Sequence, residues 1–427
     1  MPDYLFLLES RLHPAQWQAL VQVQKAAESL GVNVYLVGGA VRDLIGGFPI
    51  DDLDFVVEGR ALKLLPQLTR QQASIIWKNE ATEAAELEFP VGVMVSVSMA
   101  RSASGAKPSR SRAEPATILE DLRRRDFSIN AIGISLNPQS RGLLLDPTNG
   151  VADMEKKELR ALQPNSFVQE PIRILRAVRF RTRLKYGLEA KTAAQFQEAK
   201  ERKLLDKIAP EDLQQEFRRI AREQDPSEIL KAFEKERLLA AVSPRLQGPR
   251  LDWSTMGRAE KAGQMLAVSG IRARSFPLFL HLLTRKLPPR ERTQVAKRLG
   301  LRQQDALAFR KLPEEANRLA RDVGGKAGAK PGKLYQLLFS ARPELILLVL
   351  VEYPQAKVQT RIRIYLRKLL PMRSKLPEKE LEQLGVAAGT PRSQKILDQF
   401  FYAMLEGKVR NKTEQTKLLK KLVQTAK

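Results

Sequence analysis

The chain has 427 residues, room for about two to four domains, and 73 Lys and Arg face 48 Asp and Glu for a formal charge of +25. Such an excess implies a polyanionic partner, most often nucleic acid. The absence of cysteine excludes disulfides and thiolate metal sites, and two histidines, His13 and His281, close off chemistry built on several imidazoles. Residues 1–11 mix acids with apolar residues and lack the basic start of a signal peptide. The longest apolar run, 345–351, is far short of the ~20 residues that span a bilayer. These features predict a cytoplasmic protein with no membrane association.

In chain order, strands are predicted at 34–37, 53–57, 91–97 and 131–136, mixed with short helices. The first strand runs into Gly38-Gly39, with Arg42 just beyond. Glycines there would let a triphosphate approach backbone N–H groups, and a helix opening at Ala40 would turn its positive end toward the same anion. Asp52 and Asp54 then fall at i, i+2 on the second strand and so project to one face. Paired carboxylates of this kind suit two Mg²⁺ ions that grip a nucleotide and activate a hydroxyl. The stretch 101–114 is rich in Ser, Ala, Gly and Arg and reads as a long loop, with a composition suited to a lid.

Next, Arg123, Arg124, Arg125 and Asp126 place three planar forks and one acceptor just before a strand, as phosphate and ribose contacts require. Asp146, Asn149 and Gly150 form a turn, and Asp153 is placed to cap the helix that follows. Past about residue 154 helical periodicity dominates. On one such helix Glu170, Arg173 and Arg176 succeed one another at i, i+3, opposite an apolar side containing Ile174, Leu175 and Val178. The Gly/Lys/Ala stretch 324–332 is the best linker candidate.

The order GGAVRD, DLD, RRRDFSINA resembles the head of the class II tRNA nucleotidyltransferase and bacterial poly(A) polymerase family. That resemblance implies an α+β architecture, a mixed-sheet head over 1–150 followed by an all-helical neck over 151–240, a body over 241–330 and a tail over 331–427. It implies Asp52 and Asp54 as catalytic metal ligands for Mg²⁺. Gly38, Gly39, Arg42 and Arg125 would hold the triphosphate and Asp126 the ribose. In the neck, Glu170 and Arg173 would take the place of a nucleic-acid template, with Arg176 and Arg179 serving the phosphates.

The chemistry of that pair is selective. Cytosine and adenine both present an amino donor beside a ring-nitrogen acceptor, matching a carboxylate that accepts and a guanidinium that donates. Guanine and uracil present the reverse and would leave both side chains unpaired. Two departures stand out. Gln169-Glu170 replaces the family's Glu-Asp, lengthening the acid by one methylene, and Ser96 falls where many members have a further acid. Basic clusters at Arg361, Arg363, Arg367 and Lys368, and again after Lys412, fit backbone contacts to a folded RNA.

The expectation is therefore a template-independent enzyme that adds CCA, or its terminal A, to the tRNA 3′ end from CTP and ATP. An A-only or CC-only enzyme, a poly(A) polymerase, or a catalytically silent RNA-binding protein are the alternatives. No GxxxxGK[ST] loop supports a kinase-like phosphate site.

Overall fold

A computed structural model describes residues 4–102, 114–409 and 411–425. The chain divides into two compact units, Met1–Ile208 and Ala209–Lys427, a boundary that falls within the span expected to form the neck. All but the ends of the 101–114 loop lies outside the described residues.

The first unit is built on a seven-stranded sheet in the order β3-β4-β5-β2-β1-β6-β7. Its strands are β1 (Asn33–Val37), β2 (Leu53–Glu58), β3 (Ser74–Asn79), β4 (Ala84–Phe89), β5 (Val93–Met99), β6 (Gly133–Ser135) and β7 (Leu144–Leu145). Val34 to Val37 are buried without alternation, as a strand covered on both faces requires. Beside it, β2 pairs antiparallel with β1 and parallel with β5.

Strands β3 and β4 were not expected. In β4 the buried Ala85, Leu87 and Phe89 alternate with exposed Glu86 and Glu88, a period-2 signal weakened by residues of poor strand propensity. Val91 and Gly92 take positive φ in the turn that precedes β5, so the strand starts later than expected.

The helices of this unit are α1 (Tyr4–Arg11), α2 (Pro14–Ser29), α3 (Gly39–Gly46), α4 (Leu65–Arg70), α5 (Ile118–Arg123), α6 (Gly150–Glu155), α7 (Ser166–Gln169), α8 (Ile172–Leu184) and α9 (Ala190–Glu201). Helix α5 opens with a capping box, Thr117 and Glu120 bonding each other's backbone. Its Ile118 and Leu122 join Tyr35, Val37, Val56 and Ala131 in a core on one side of the sheet. Phe180 of α8 meets Phe127 edge-on at 5.9 Å and thereby fixes α8 beside the segment before β6. A short parallel pair, Glu158–Leu159 with Gly187–Leu188, lies past the point where strands were expected to end.

The second unit is helical. Phe217 packs against Phe233 and Phe279, Tyr335 against Tyr365 and Phe401, and Ile396, Phe400 and Leu419 build a further cluster. Among the described residues no single helix is long and apolar enough to cross a membrane. The pair Pro331–Phe339 and Pro343–Glu352 passes that test jointly but is bent by 112°.

The linker expectation at 324–332 is corrected. Helix Gln303–Gly324 passes through a tight 3₁₀ turn, Ala327–Ala329, directly into Pro331–Phe339, with Gly328 buried between them. A Cβ on Gly328 would lie 2.1 Å from the Val323 carbonyl oxygen. Glycine here serves close approach rather than flexibility. Gly328→Ala should therefore lower stability by about 1–3 kcal/mol or more. A thermal unfolding midpoint equal to that of the unaltered protein would show an ordinary linker instead.

Candidate active site

Strand β1 ends at Val37 and the chain turns at Gly38, whose φ of 69° and ψ of −127° are open to glycine and little else. The Gly38 N–H already donates to the Ile132 carbonyl at 3.1 Å. The amides that follow open α3, where first-turn N–H groups lack intrahelical partners and suit an anion. Helix α3 opens at Gly39, one residue ahead of the expected Ala40.

Two further groups come to this corner. A Cβ on Gly38 would stand 2.8 Å from Arg125 Nη1 and 3.8 Å from Asp54 Oδ2. Asp54 owes its place to register, facing Val37 on β1 and Ser96 on β5. Ser96 Oγ donates to Asp54 Oδ1 at 2.5 Å, so one carboxylate oxygen is anchored while the other faces the glycine corner. Asp52, just before β2, is exposed. An exposed carboxylate two residues from a half-buried one, hard oxygen donors both, fits a divalent cation beside a triphosphate. Among the described residues no three acidic or histidine side chains cluster as a metal site, in keeping with a serine at position 96.

The arginines divide by exposure. Arg125 donates through Nε and Nη2 to Asp121 Oδ2, at 3.2 and 3.0 Å, and Arg124 takes Oδ1 of the same carboxylate. Burial alone would raise the Asp121 carboxyl, but the Arg125 and Arg124 guanidiniums outweigh it and hold the group below its ordinary range. Sequence reasoning missed Asp121, although its i, i+3 and i, i+4 spacing to the two arginines was a readable signal.

Arg42, expected at the triphosphate, is 2 % exposed. Its Nε and Nη2 bond Asp43, its Nη1 donates to Asn130 Oδ1 at 2.7 Å, and its guanidinium lies over Phe180. Its Nη2 also lies 3.7 Å from where a Cβ on Gly39 would stand. Asn130 in turn donates to Asp126 Oδ1 at 3.0 Å, and Arg176 Nη1 reaches Asp126 Oδ2 at 3.3 Å. Asp126 is buried and accepts the Phe127 N–H as well. Burial pushes its carboxyl up, yet Arg176 and Asn130 leave it below its ordinary value. Arg179 is buried with its guanidinium 4.3 Å from the Phe180 ring centroid.

Glu170 does not lie on a helix as expected. Pro171 follows it, disfavouring helical backbone at the preceding residue, and α8 starts only at Ile172. The pair with Arg173 nevertheless forms, Nη2 to Oε1 at 3.0 Å and Nε to Oε2 at 3.2 Å. Ser166 Oγ accepts from Arg173 Nη1 at 2.7 Å, so the guanidinium is fixed while Glu170 stays half exposed.

Asp146, not Asp153, caps α6 through the N–H groups of Gly150 and Val151. Asp153 lies inside α6 and accepts from Ser128 and Arg160. In the basic cluster near the end of the chain, Arg361 donates to the carbonyls of Val323 and Gly325, whereas Arg363, Arg367 and Lys368 are exposed.

Gly38, Asp54 and Arg125 thus meet at one corner of a mixed-sheet head. Residues 34–160 match the poly(A) polymerase head domain. An A-adding tRNA nucleotidyltransferase of Geobacter sulfurreducens is 26 % identical over 94 % of this chain and 46 % of its own length. That of Halalkalibacterium halodurans is 36 % identical over 49 % of this chain and 50 % of its own, and a multifunctional CCA protein of Xanthomonas campestris is 34 % identical over 50 % and 52 %. The chain thus spans about half the length of the curated relatives it matches. Among solved structures, a tRNA nucleotidyltransferase complexed with a primer tRNA and an incoming ATP analog has a TM-score of 0.55 and 28 % identity, covering 82 % of this chain and 99 % of that one. The Thermotoga maritima CCA-adding enzyme complexed with tRNA has a TM-score of 0.52 and 25 % identity over 100 % and 99 %. These similarities support a likeness to the class II tRNA nucleotidyltransferase family.

Asp121→Asn should cost about 2–3 kcal/mol, less than the ~3–5 of a wholly buried pair because Arg124 and Arg125 stay 28 % and 21 % exposed. The depressed carboxyl contributes stability above the unfolded-state value of ~3.9, and that contribution is lost as pH falls through the lower folded value. Acid unfolding followed by circular dichroism should begin below about pH 4 and flatten in the variant. Unchanged acid and thermal midpoints would remove Asp121 from this role.

Proposed function

We propose that the chain is a tRNA nucleotidyltransferase that adds the terminal A of the 3′ CCA end from ATP. What carries this reading is the convergence of Asp54 and Arg125 on the Gly38 corner. A triphosphate there would meet backbone N–H groups and the Arg125 fork, with no side chain at Gly38 or Gly39 to bar its approach. Asp52 and Asp54 would hold Mg²⁺, which supplies Lewis-acid polarisation of the α-phosphate and eases deprotonation of the RNA hydroxyl. Ser96 keeps Asp54 turned toward that corner. The RNA 3′-oxygen then forms its bond to the α-phosphorus as pyrophosphate departs.

Glu170 and Arg173 would select the base, accepting from the amino group and donating to the ring nitrogen. Because the two side chains satisfy each other, an incoming base must exchange into that pairing. A base with the wrong edge recovers neither bond. Arg176, paired with Asp126, would serve the ribose or phosphate, while buried Arg42 and Arg179 would position the turn and α8. The exposed Arg363, Arg367 and Lys368, and the lysines of the last helix, would follow the tRNA backbone.

The terminal-A reading draws on Glu170, longer than the family's usual acid, and on A-adding relatives aligned along 94 % and 83 % of the chain. Full CCA addition is the second reading, favoured by the multifunctional CCA relatives aligned over half of it. Given tRNAs ending before the first C, after the second C, or complete, the protein should extend only the CC-ended species, and only with ATP. Label entering from CTP would establish the second reading. No incorporation on any end, together with intact tRNA binding, would leave an RNA-binding protein without catalysis.

A further inference from the structure

We infer that Arg101, whose backbone is tied to Asp121, is an additional triphosphate-binding residue; this rests on the nucleotidyltransferase reading above. Arg101 follows β5, the strand that pairs with β2 and places Ser96 against Asp54. Its backbone is fixed from both sides. It forms an isolated bridge with Pro115, and its N–H donates to Asp121 Oδ1 at 3.3 Å. The head of the long loop is thus tied to the same carboxylate that holds Arg124 and Arg125.

The side chain is placed differently. Its Nε is buried yet has no hydrogen-bond partner among the described residues. The two oxygens of Asp121 are already taken by Arg124 and Arg125, and those of Glu170 by Arg173. Four arginines therefore share two carboxylates, leaving two positive charges in excess. Burial, then Arg124 and also Arg125 beside it, pull the Arg101 guanidinium below its ordinary value, while Asp121 and Glu170 oppose the shift.

Leaving a guanidinium nitrogen buried without a bond and next to like charges is unfavourable in the free protein. An anion with several acceptor oxygens reverses all three terms at once. Phosphate matches the planar fork, and Arg125 already marks where the triphosphate enters, against the Gly38 corner. A purely structural arginine would instead find a carboxylate or carbonyl, as Arg42 and Arg361 do.

Arg101→Met keeps the apolar stem and removes the fork, and Arg101→Lys keeps a point charge. Titration calorimetry of the tRNA-free protein with Mg²⁺–ATP, and separately with inorganic pyrophosphate, should show binding weakened roughly 10- to 100-fold in Arg101→Met. Arg101→Lys should recover part of it. KM for ATP should rise while KM for the CC-ended tRNA and the thermal midpoint hold. Unchanged ATP and pyrophosphate binding would overturn the inference, and so would a rise confined to the KM for tRNA. If the unaltered protein incorporates nucleotide and Arg101→Met matches it in every respect, only this inference fails. If the unaltered protein binds neither nucleotide nor pyrophosphate, the reading beneath it fails as well.

Discussion

Everything at the candidate site is organised by one backbone corner. Gly38 adopts a conformation closed to other residues, and the space where a Cβ would stand lies beside the Arg125 guanidinium and an oxygen of Asp54. Those three groups come from separate stretches of chain. The turn comes from β1, the acid from β2 and the arginine from the end of α5, so their meeting is a product of sheet register rather than of any local motif. A one-residue slip of β2 would turn Asp54 to the opposite face.

Behind the corner runs a buried polar chain. Arg183 and Arg42 share Asp43, Arg42 reaches Asn130, Asn130 reaches Asp126, and Asp126 takes Arg176. It ties α3, the segment before β6 and α8 into one body. Each member makes at least one of these bonds, and a bonded buried polar network stiffens a structure. The groups proposed to choose the base and hold the phosphate would thus be fixed against the same scaffold.

Much of this was legible beforehand, and for identifiable reasons. The apolar run of β1, the glycine pair and the acid pair each have a spacing that only a strand and a turn explain. The Glu170–Arg173 pair also forms, although Pro171 pushes Glu170 off the helix. What escaped was set by tertiary context. Strands β3 and β4 hide in a Glu- and Ala-rich sequence, and the glycine-rich turn at 324–332 imitates a linker because close packing and flexibility call for the same residue. Arg42 shows the limit most clearly. Its place after the glycine pair marks it for phosphate, and only the folded structure reveals its bonds to Asp43 and Asn130.

The central claim is that Asp52 and Asp54 bind divalent metal beside a nucleotide at the Gly38 corner. Mn²⁺ binding followed by electron paramagnetic resonance, with a non-hydrolysable ATP analogue present, tests it most directly. The account predicts that Asp52→Asn and Asp54→Asn each weaken Mn²⁺ binding roughly 10-fold or more. Unaltered Mn²⁺ affinity in both folded variants would contradict it.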